Sequence, residues 1–298
     1  DVLMGQQSED MTILVTGILL GGTYALIAMG LTLQYGVARI MNLANGETFV
    51  AACFIAFWLF TAYHINPLLG LLVIAPAAFV INGAIYWYLL KPLVDRAKNR
   101  GQLEVDSILA TFGLLFLLQG IMILAFGGAY FSYTFLAERF MILGSPYGLN
   151  RVVAFVAAAV IAIGLYIYLF HTRQGTAVRA VAVDPTSANL VAIDVARTAM
   201  IAFALGGALT ACGGALLSTF YTFNASMGVV FTMKALIIVI MGGVGDVRGA
   251  VIAALVLGIA ETAVASLIDP GLTIAATYAL FILVLLFRPQ GIFGRQQS

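Results

Sequence analysis

Between about residue 11 and residue 287 the sequence returns nine times to an almost uninterrupted apolar run, and nothing else in it constrains the fold so strongly. About 30 Å of hydrocarbon, at 1.5 Å of rise per helical residue, asks for about 20 residues. Runs that meet or approach this length lie at about 11–35, 47–64, 68–90, 107–126, 151–170, 198–222, 225–244, 249–268 and 272–287. Lipid offers a backbone no hydrogen-bond partners, so such runs must be helices. The expected fold is an all-α integral membrane protein, a polytopic bundle of about 8–9 transmembrane helices with room for re-entrant or broken ones. The seventh run contains Lys234 and ends in MGGVGDVRG, so a spanning helix and a re-entrant helix followed by a loop both fit it. With 62% hydrophobic and 9% charged residues and a mean hydropathy of +1.06, no stretch is left for a soluble domain. Residues 1–298 therefore read as a single membrane domain.

Basic residues in short loops set the orientation. Lys91, Arg96, Lys98 and Arg100 share one loop, Arg173, Arg179 and Arg197 a second, and Arg288 and Arg295 the tail. All three are expected in the cytoplasm. The segment from Gly127 to Asn150, where Arg139 stands against Glu138, then falls outside with the acidic N-terminus. Nine crossings, outside at the start and inside at the end, satisfy every loop. A net charge of +1 leaves no basic field for nucleic acid. Cys53 and Cys212 sit in separate apolar runs without a CxxC pair, which suits helix packing.

The pattern breaks at Gly30–Glu47, GLTLQYGVARIMNLANGE. Gly36, Asn42, Asn45 and Gly46 are poor interior helix residues, and hydrocarbon does not tolerate Arg39 or Glu47 unpaired. Irregular backbone at membrane depth needs burial in protein or access to water. A solute pathway or gate meets that need. An ordinary cytoplasmic turn between two spans meets it equally.

Enzyme chemistry finds no foothold. There is no Gly-Lys pair for a P-loop, no HExxH or GxSxG, and His64 and His171 lie at opposite ends of spans. The ionisable groups at membrane depth are Glu47, Lys234 and Glu261, with Arg39, Asp246, Arg248 and Asp269 nearer the ends. Lys234 and Glu261 form a plausible pair, either locking helices together or lining a path for a zwitterion. Asp246 and Arg248 are expected to pair locally or to face the cytoplasm. The small-residue pairs Gly17 with Gly21, Gly206 with Thr210, and Gly245 with Gly249 have the spacing of close helix contacts.

The polar segment of about 171–197 differs from every other loop. Its GTAVRAVAVDPTSANLVAID places an Asp-Pro pair at a helix start, and a short amphipathic helix is expected over about Pro185–Ile193. With Leu190, Val191 and Ile193 available, that helix could seat in a groove of a soluble partner, or lie flat on the membrane.

GLTLQYGVARIMNLANGE closely resembles the signature of the branched-chain amino acid ABC transporter permeases. RQGTAVRAVAVDPTSANLVAID is similar to that family's cytoplasmic loop, FTMKALIIVIMGGVGDVRGAVIAALVLGIAET to its Lys-Ala, Gly-Gly-x-Gly and Gly-x-x-Glu region, and FRPQGIFGR to its closing motif. The chain looks most like the permease subunit usually paired with a second, different permease. The resemblance implies a bacterial inner-membrane subunit that imports hydrophobic amino acids or related small solutes. Its implied partners are the second permease, two cytoplasmic ATPase subunits and a periplasmic binding protein. ATP and Mg would belong to the ATPases, leaving this chain without cofactor, metal or catalytic residue of its own. It also implies that Arg179, Asp184, Pro185, Leu190, Val191 and Asp194 belong to the ATPase-coupling loop. Asn42, Asn45, Gly46, Glu47 and Lys234 would lie close to the translocation path, with Glu261 beside Lys234. Asn45 stands where the family more often has His. A different class remains open on the residues alone, a secondary transporter driven by an ion gradient with Glu47 or Glu261 as carrier.

Overall fold

Helix α1 (Val2–Ala38) ends where Arg39 turns into the left-handed region at φ +57°, and the chain then doubles back on it. The computed structural model that shows this describes residues 2–136, 138–142, 145–288 and 291–292. Residues 39–44 form no helix. Asn42 reaches Gln34 at 3.0 Å and Asn45 reaches the Ile27 carbonyl at 3.5 Å, so this segment climbs back along α1. Helix α2 (Asn45–Tyr63) consequently starts deep in the bundle rather than at its edge.

After α2 come α3 (Pro67–Ile85), a π-helical turn over Tyr86–Leu90, α4 (Lys91–Arg96) and α5 (Arg100–Phe126). An antiparallel hairpin, β1 (Arg139–Ile142) with β2 (Ser145–Gly148), precedes α6 (Leu149–His171). Helices α7 (Arg173–Val183), α8 (Pro185–Leu190), α9 (Val195–Leu217), α10 (Gly228–Gly242), α11 (Val247–Leu267) and α12 (Thr273–Phe287) complete the chain. Side-chain caps fix many starts: Asn66, Asn99, Thr172, Asp184, Asp194 and Asp246 each accept a first-turn N–H. The closing motif from Pro289 to Arg295 falls largely outside the described residues, and Arg295 lies wholly outside them.

Among the described residues, eight helices are long and apolar enough to cross a membrane by themselves. The seventh run is the exception foreseen in its sequence. Helix α10 has 15 residues, about 22 Å at helical rise, and falls short of the hydrocarbon. The chain still passes from one end of the bundle to the other along it. Residues 218–227 join the far-end loop, where Phe131 and Phe223 exchange backbone hydrogen bonds, while Gly245 beyond α10 faces Gly36 near the end of α1.

Helices α1 and α9 form the centre. In the most apolar stretch of α9, 83% of residues are buried, against 6% in α12, so α9 is enclosed by protein and α12 faces outward. Close approach at the centre depends on glycine. Gly17 and Gly21 of α1 meet Gly258 of α11, where an added Cβ would stand 2.6 Å from the Gly21 Cα. Gly206 and Thr210 of α9 meet Gly30. The third expected pair is corrected: Gly249 packs against Gly242, whereas Gly245 lies in the turn before α11 at φ +86°, off any helix face.

The three basic segments converge at one end. Tyr35 near the end of α1 bonds Glu104 of α5, Arg39 bonds Ala182 of α7, and the Ile292 N–H bonds the Met241 carbonyl. Replacing Gly258 with Leu should lower the thermal midpoint of the detergent-solubilised protein sharply, since overpacking costs about 1–3 kcal/mol. Gly120, with nothing within 4 Å of its Cβ position, is the control, and Gly120→Leu should leave the midpoint unchanged.

Candidate functional site

The break after α1 brings four neighbouring side chains, Gln34, Thr111, Thr210 and Thr232, to bear on the stretch from Met41 to Gly46. The Thr111 hydroxyl of α5 accepts from the Leu43 N–H at 3.2 Å and lies 3.1 Å from the Met41 carbonyl. From α10, Thr232 accepts from the Gly46 N–H at 2.8 Å and donates to the Leu43 carbonyl at 3.0 Å. Thr210 of α9 donates to Asn45 at 3.0 Å. Asn42 donates to Gln34, accepts from the Ala44 N–H, and is itself buried. The bonds to the Leu43, Ala44 and Gly46 N–H groups and to the Leu43 carbonyl satisfy backbone that a continuous helix would have paired, and the Asn42–Gln34 and Thr210–Asn45 bonds fix side chains around it, which is how the break survives inside the bundle.

Glu47 sits in the first turn of α2 and faces the start of α10. A Cβ on Gly228 would run into its carboxylate, and a Cβ on Gly46 into the Gly228 carbonyl oxygen. Neither Glu47 oxygen has a hydrogen-bond partner, although the residue is fully buried. Helix α10 begins at Met227 without a side-chain cap. Two helix N-termini, each carrying partial positive charge, thus converge on one carboxylate.

Lys234 and Glu261 form the expected pair, and the structure adds two partners. The ammonium donates to Glu261 Oε2 at 2.8 Å and to the Tyr24 hydroxyl at 2.9 Å, and it lies 4.7 Å from the Tyr24 ring centre. Tyr24 donates to the same Oε2 at 3.0 Å, and Thr277 of α12 donates to Oε1 at 2.5 Å. Four helices, α1, α10, α11 and α12, are joined by a carboxylate with three donors. A buried charge in this state holds helices together and has little freedom to act as a carrier.

Residues 13–288 match the family model described as the permease component of the branched-chain amino acid transport system. The chain belongs to this family. It is 30% identical to the high-affinity branched-chain amino acid permease LivH of Escherichia coli, over 94% of both chains. It is also 30% identical to BraD of Pseudomonas aeruginosa, over 95% of both. Its fold is similar to a solved structure titled "PsaBC from Streptococcus pneumoniae in complex with Fab", with a TM-score of 0.51 at 11% identity, covering 94% of this chain and 92% of that one.

In this permease the polar segment of about 171–197 contains two short helices, α7 and α8. Asp184 caps α8, accepting from the Thr186 N–H at 2.9 Å and from the Ser187 hydroxyl, with Pro185 at the first helical position. The helix stops at Leu190 instead of Ile193. Ala192 takes φ +60°, and the Ile193 N–H bonds back to the Ala188 carbonyl. That turn directs Ile193 onto the core, so Ile193 is not available to a partner. Leu190 and Val191 are 85% and 68% exposed. Asp194 caps α9, and Arg179 stacks on Phe170 at 4.6 Å. Asp246 also caps, receiving the Arg248 backbone N–H, while the Arg248 guanidinium bonds Tyr166.

Sequence reasoning gathered Asn42, Asn45, Gly46 and Glu47 in one place and Lys234 with Glu261 in another. It passed over Tyr24, Thr277, Thr111, Thr232 and Gln34. Their signal was present, a hydroxyl or amide inside an apolar run, but Thr in a helix usually bonds its own preceding turn, as Thr32 and Thr262 do here. Lys234→Met should destabilise the solubilised protein by about 3–5 kcal/mol, because it leaves Glu261 buried with a negative charge and no cation. Adding Glu261→Gln to it should recover most of the loss in thermal midpoint, and no recovery would show that the pair does not hold the bundle together.

Proposed function

We propose that this permease is the membrane-spanning subunit of an ATP-driven importer for branched-chain or other hydrophobic amino acids. A periplasmic binding protein would deliver the solute, and two cytoplasmic ATPase subunits would drive transport. A second permease, of the kind LivH-type chains are paired with, would complete the path. The chain would lie in a bacterial inner membrane with its N-terminus outside and its basic end in the cytoplasm. Near-full-length similarity to LivH and BraD supports the solute class.

One observation carries the mechanism. Arg39, the first residue of the break, donates to the Ala182 carbonyl at 2.9 Å, in the last turn of α7 and two residues before the cap of α8. A push on Leu190 and Val191 at the protein surface is therefore delivered by a rigid pair of short helices to the place where α1 gives way to the re-entrant segment. That segment carries Asn42 to Glu47 between α9 and α10. An ATPase groove moving α8 would change the spacing of these helices and so open or close the route at the level of Gly46 and Gly228. Glu261, held by three donors, is poorly suited to shuttle protons, which weighs against a carrier driven by an ion gradient.

The test is reconstitution in liposomes with the two ATPases, the second permease and the binding protein. Leu190→Asp with Val191→Asp should abolish leucine uptake and release ATP hydrolysis from control by the binding protein. Arg39→Met should lower uptake about tenfold or more while the ATPases stay bound, which is the loss of one charge-assisted hydrogen bond and the coupling it transmits. Uptake by the permease in the absence of any ATPase would overturn the reading.

A further inference from the structure

Among the described residues, Glu47 is the buried carboxylate whose two oxygens both lack a partner. Its residue exposure is 0%, and neither carboxylate oxygen receives a hydrogen bond. No ion pair reaches it among the described residues: Lys234 is committed to Glu261 at 2.8 Å, and Arg39 is turned to the Ala182 carbonyl. The neighbouring polar clusters are satisfied, Glu261 by three donors and the break by Thr111, Thr210 and Thr232. An unanswered carboxylate in such surroundings costs free energy unless something from outside completes it.

The position says what that something is. Glu47 lies in the first turn of α2, and its carboxylate rests on Gly228 at the uncapped start of α10, so it stands at two helix N-termini, each with partial positive charge. Dipoles stabilise the charge without neutralising it. A group that completes the site must be cationic, small enough to enter between Gly46 and Gly228, and able to donate hydrogen bonds or coordinate oxygen. Gly46 and Gly228 let the two helix starts meet backbone to backbone, with the Thr232 hydroxyl beside Gly46, and separation of α2 from α10 would open a way to the carboxylate.

We propose that Glu47 is an intramembrane site for a small monovalent cation brought from outside the chain, either the ammonium group of the carried solute or a free inorganic cation. The first-turn N–H groups of α10 then stand beside it for the carboxylate of a zwitterion. The inference deepens the transport reading above and depends on it only for the uptake measurement.

Two measurements test it on the complete transporter, wild type and Glu47→Gln, the latter keeping shape and losing charge. In the first, thermal midpoints are compared at constant ionic strength in methylammonium chloride, sodium chloride, L-leucine with N-methylglucamine chloride, and N-methylglucamine chloride alone, whose cation is too large to enter. Methylammonium or sodium should raise the wild-type midpoint by about 2–4 °C and leave Glu47→Gln unmoved. A shift with methylammonium and leucine but not sodium assigns the ammonium of the solute, and a shift with sodium assigns an inorganic cation. Equal behaviour of wild type and Glu47→Gln in all four solutions overturns the proposal. In the second, leucine uptake should fall about tenfold or more in Glu47→Gln while stimulation of ATP hydrolysis by the binding protein persists. Normal uptake by the variant defeats the site and leaves the transport reading standing. No uptake by the wild type, with the cation shift intact, defeats the transport reading and leaves the site standing.

Discussion

Hydrocarbon cannot accept or donate a hydrogen bond, and this single fact arranges the interior of the permease. A helix satisfies it internally, so eight long helices need nothing from one another beyond packing. The segment after Ala38 does not satisfy it, and partners from elsewhere in the chain and from within the segment must hold it through the start of α2. Those partners lie on α1, α5, α9 and α10 and within the break itself, which means the break cannot exist until most of the chain has assembled around it. The same accounting governs the charges. Lys234, Glu261, Tyr24 and Thr277 close a set in which every polar group is answered, while Glu47 remains open.

The two clusters play different mechanical parts because of what they join. The ion pair ties α1, α10, α11 and α12 through charge-assisted bonds that are costly to break, and it sits among helices that contact each other over glycine. The break joins α2 to α10 through hydroxyl bonds and bare glycine backbones, which are cheaper to rearrange. Arg39 connects this softer seam to the helices that carry Leu190 and Val191.

Hydroxyl groups carry much of this arrangement, and they explain what was hidden in the sequence. Charged residues in an apolar run announce themselves, so Glu47, Lys234 and Glu261 stood out and two of them were paired correctly. Threonine does not, because it can be satisfied by the carbonyl four residues back. Only the fold distinguishes Thr32, which does that, from Thr232, which holds another segment of chain. Helix ends failed for a similar reason. The Pro185 start was legible from Asp184 and proline chemistry, whereas the stop at Leu190 depends on Ala192 adopting a left-handed turn that no side chain announces.

The sequence by itself determined that this chain is a polytopic helical membrane protein, where the helical pattern must fail, and to which family it belongs. These follow from hydrophobic length, charge and motif, all of which are properties of short stretches. Tertiary structure alone decided that the failed stretch climbs back to the middle of α1, that α10 crosses on 15 residues, and that Arg39 reaches Ala182. It also decided that Lys234 finds its counter-charge while Glu47 does not. Each of these depends on which helices meet at which depth, and depth is set by packing among residues far apart in the chain.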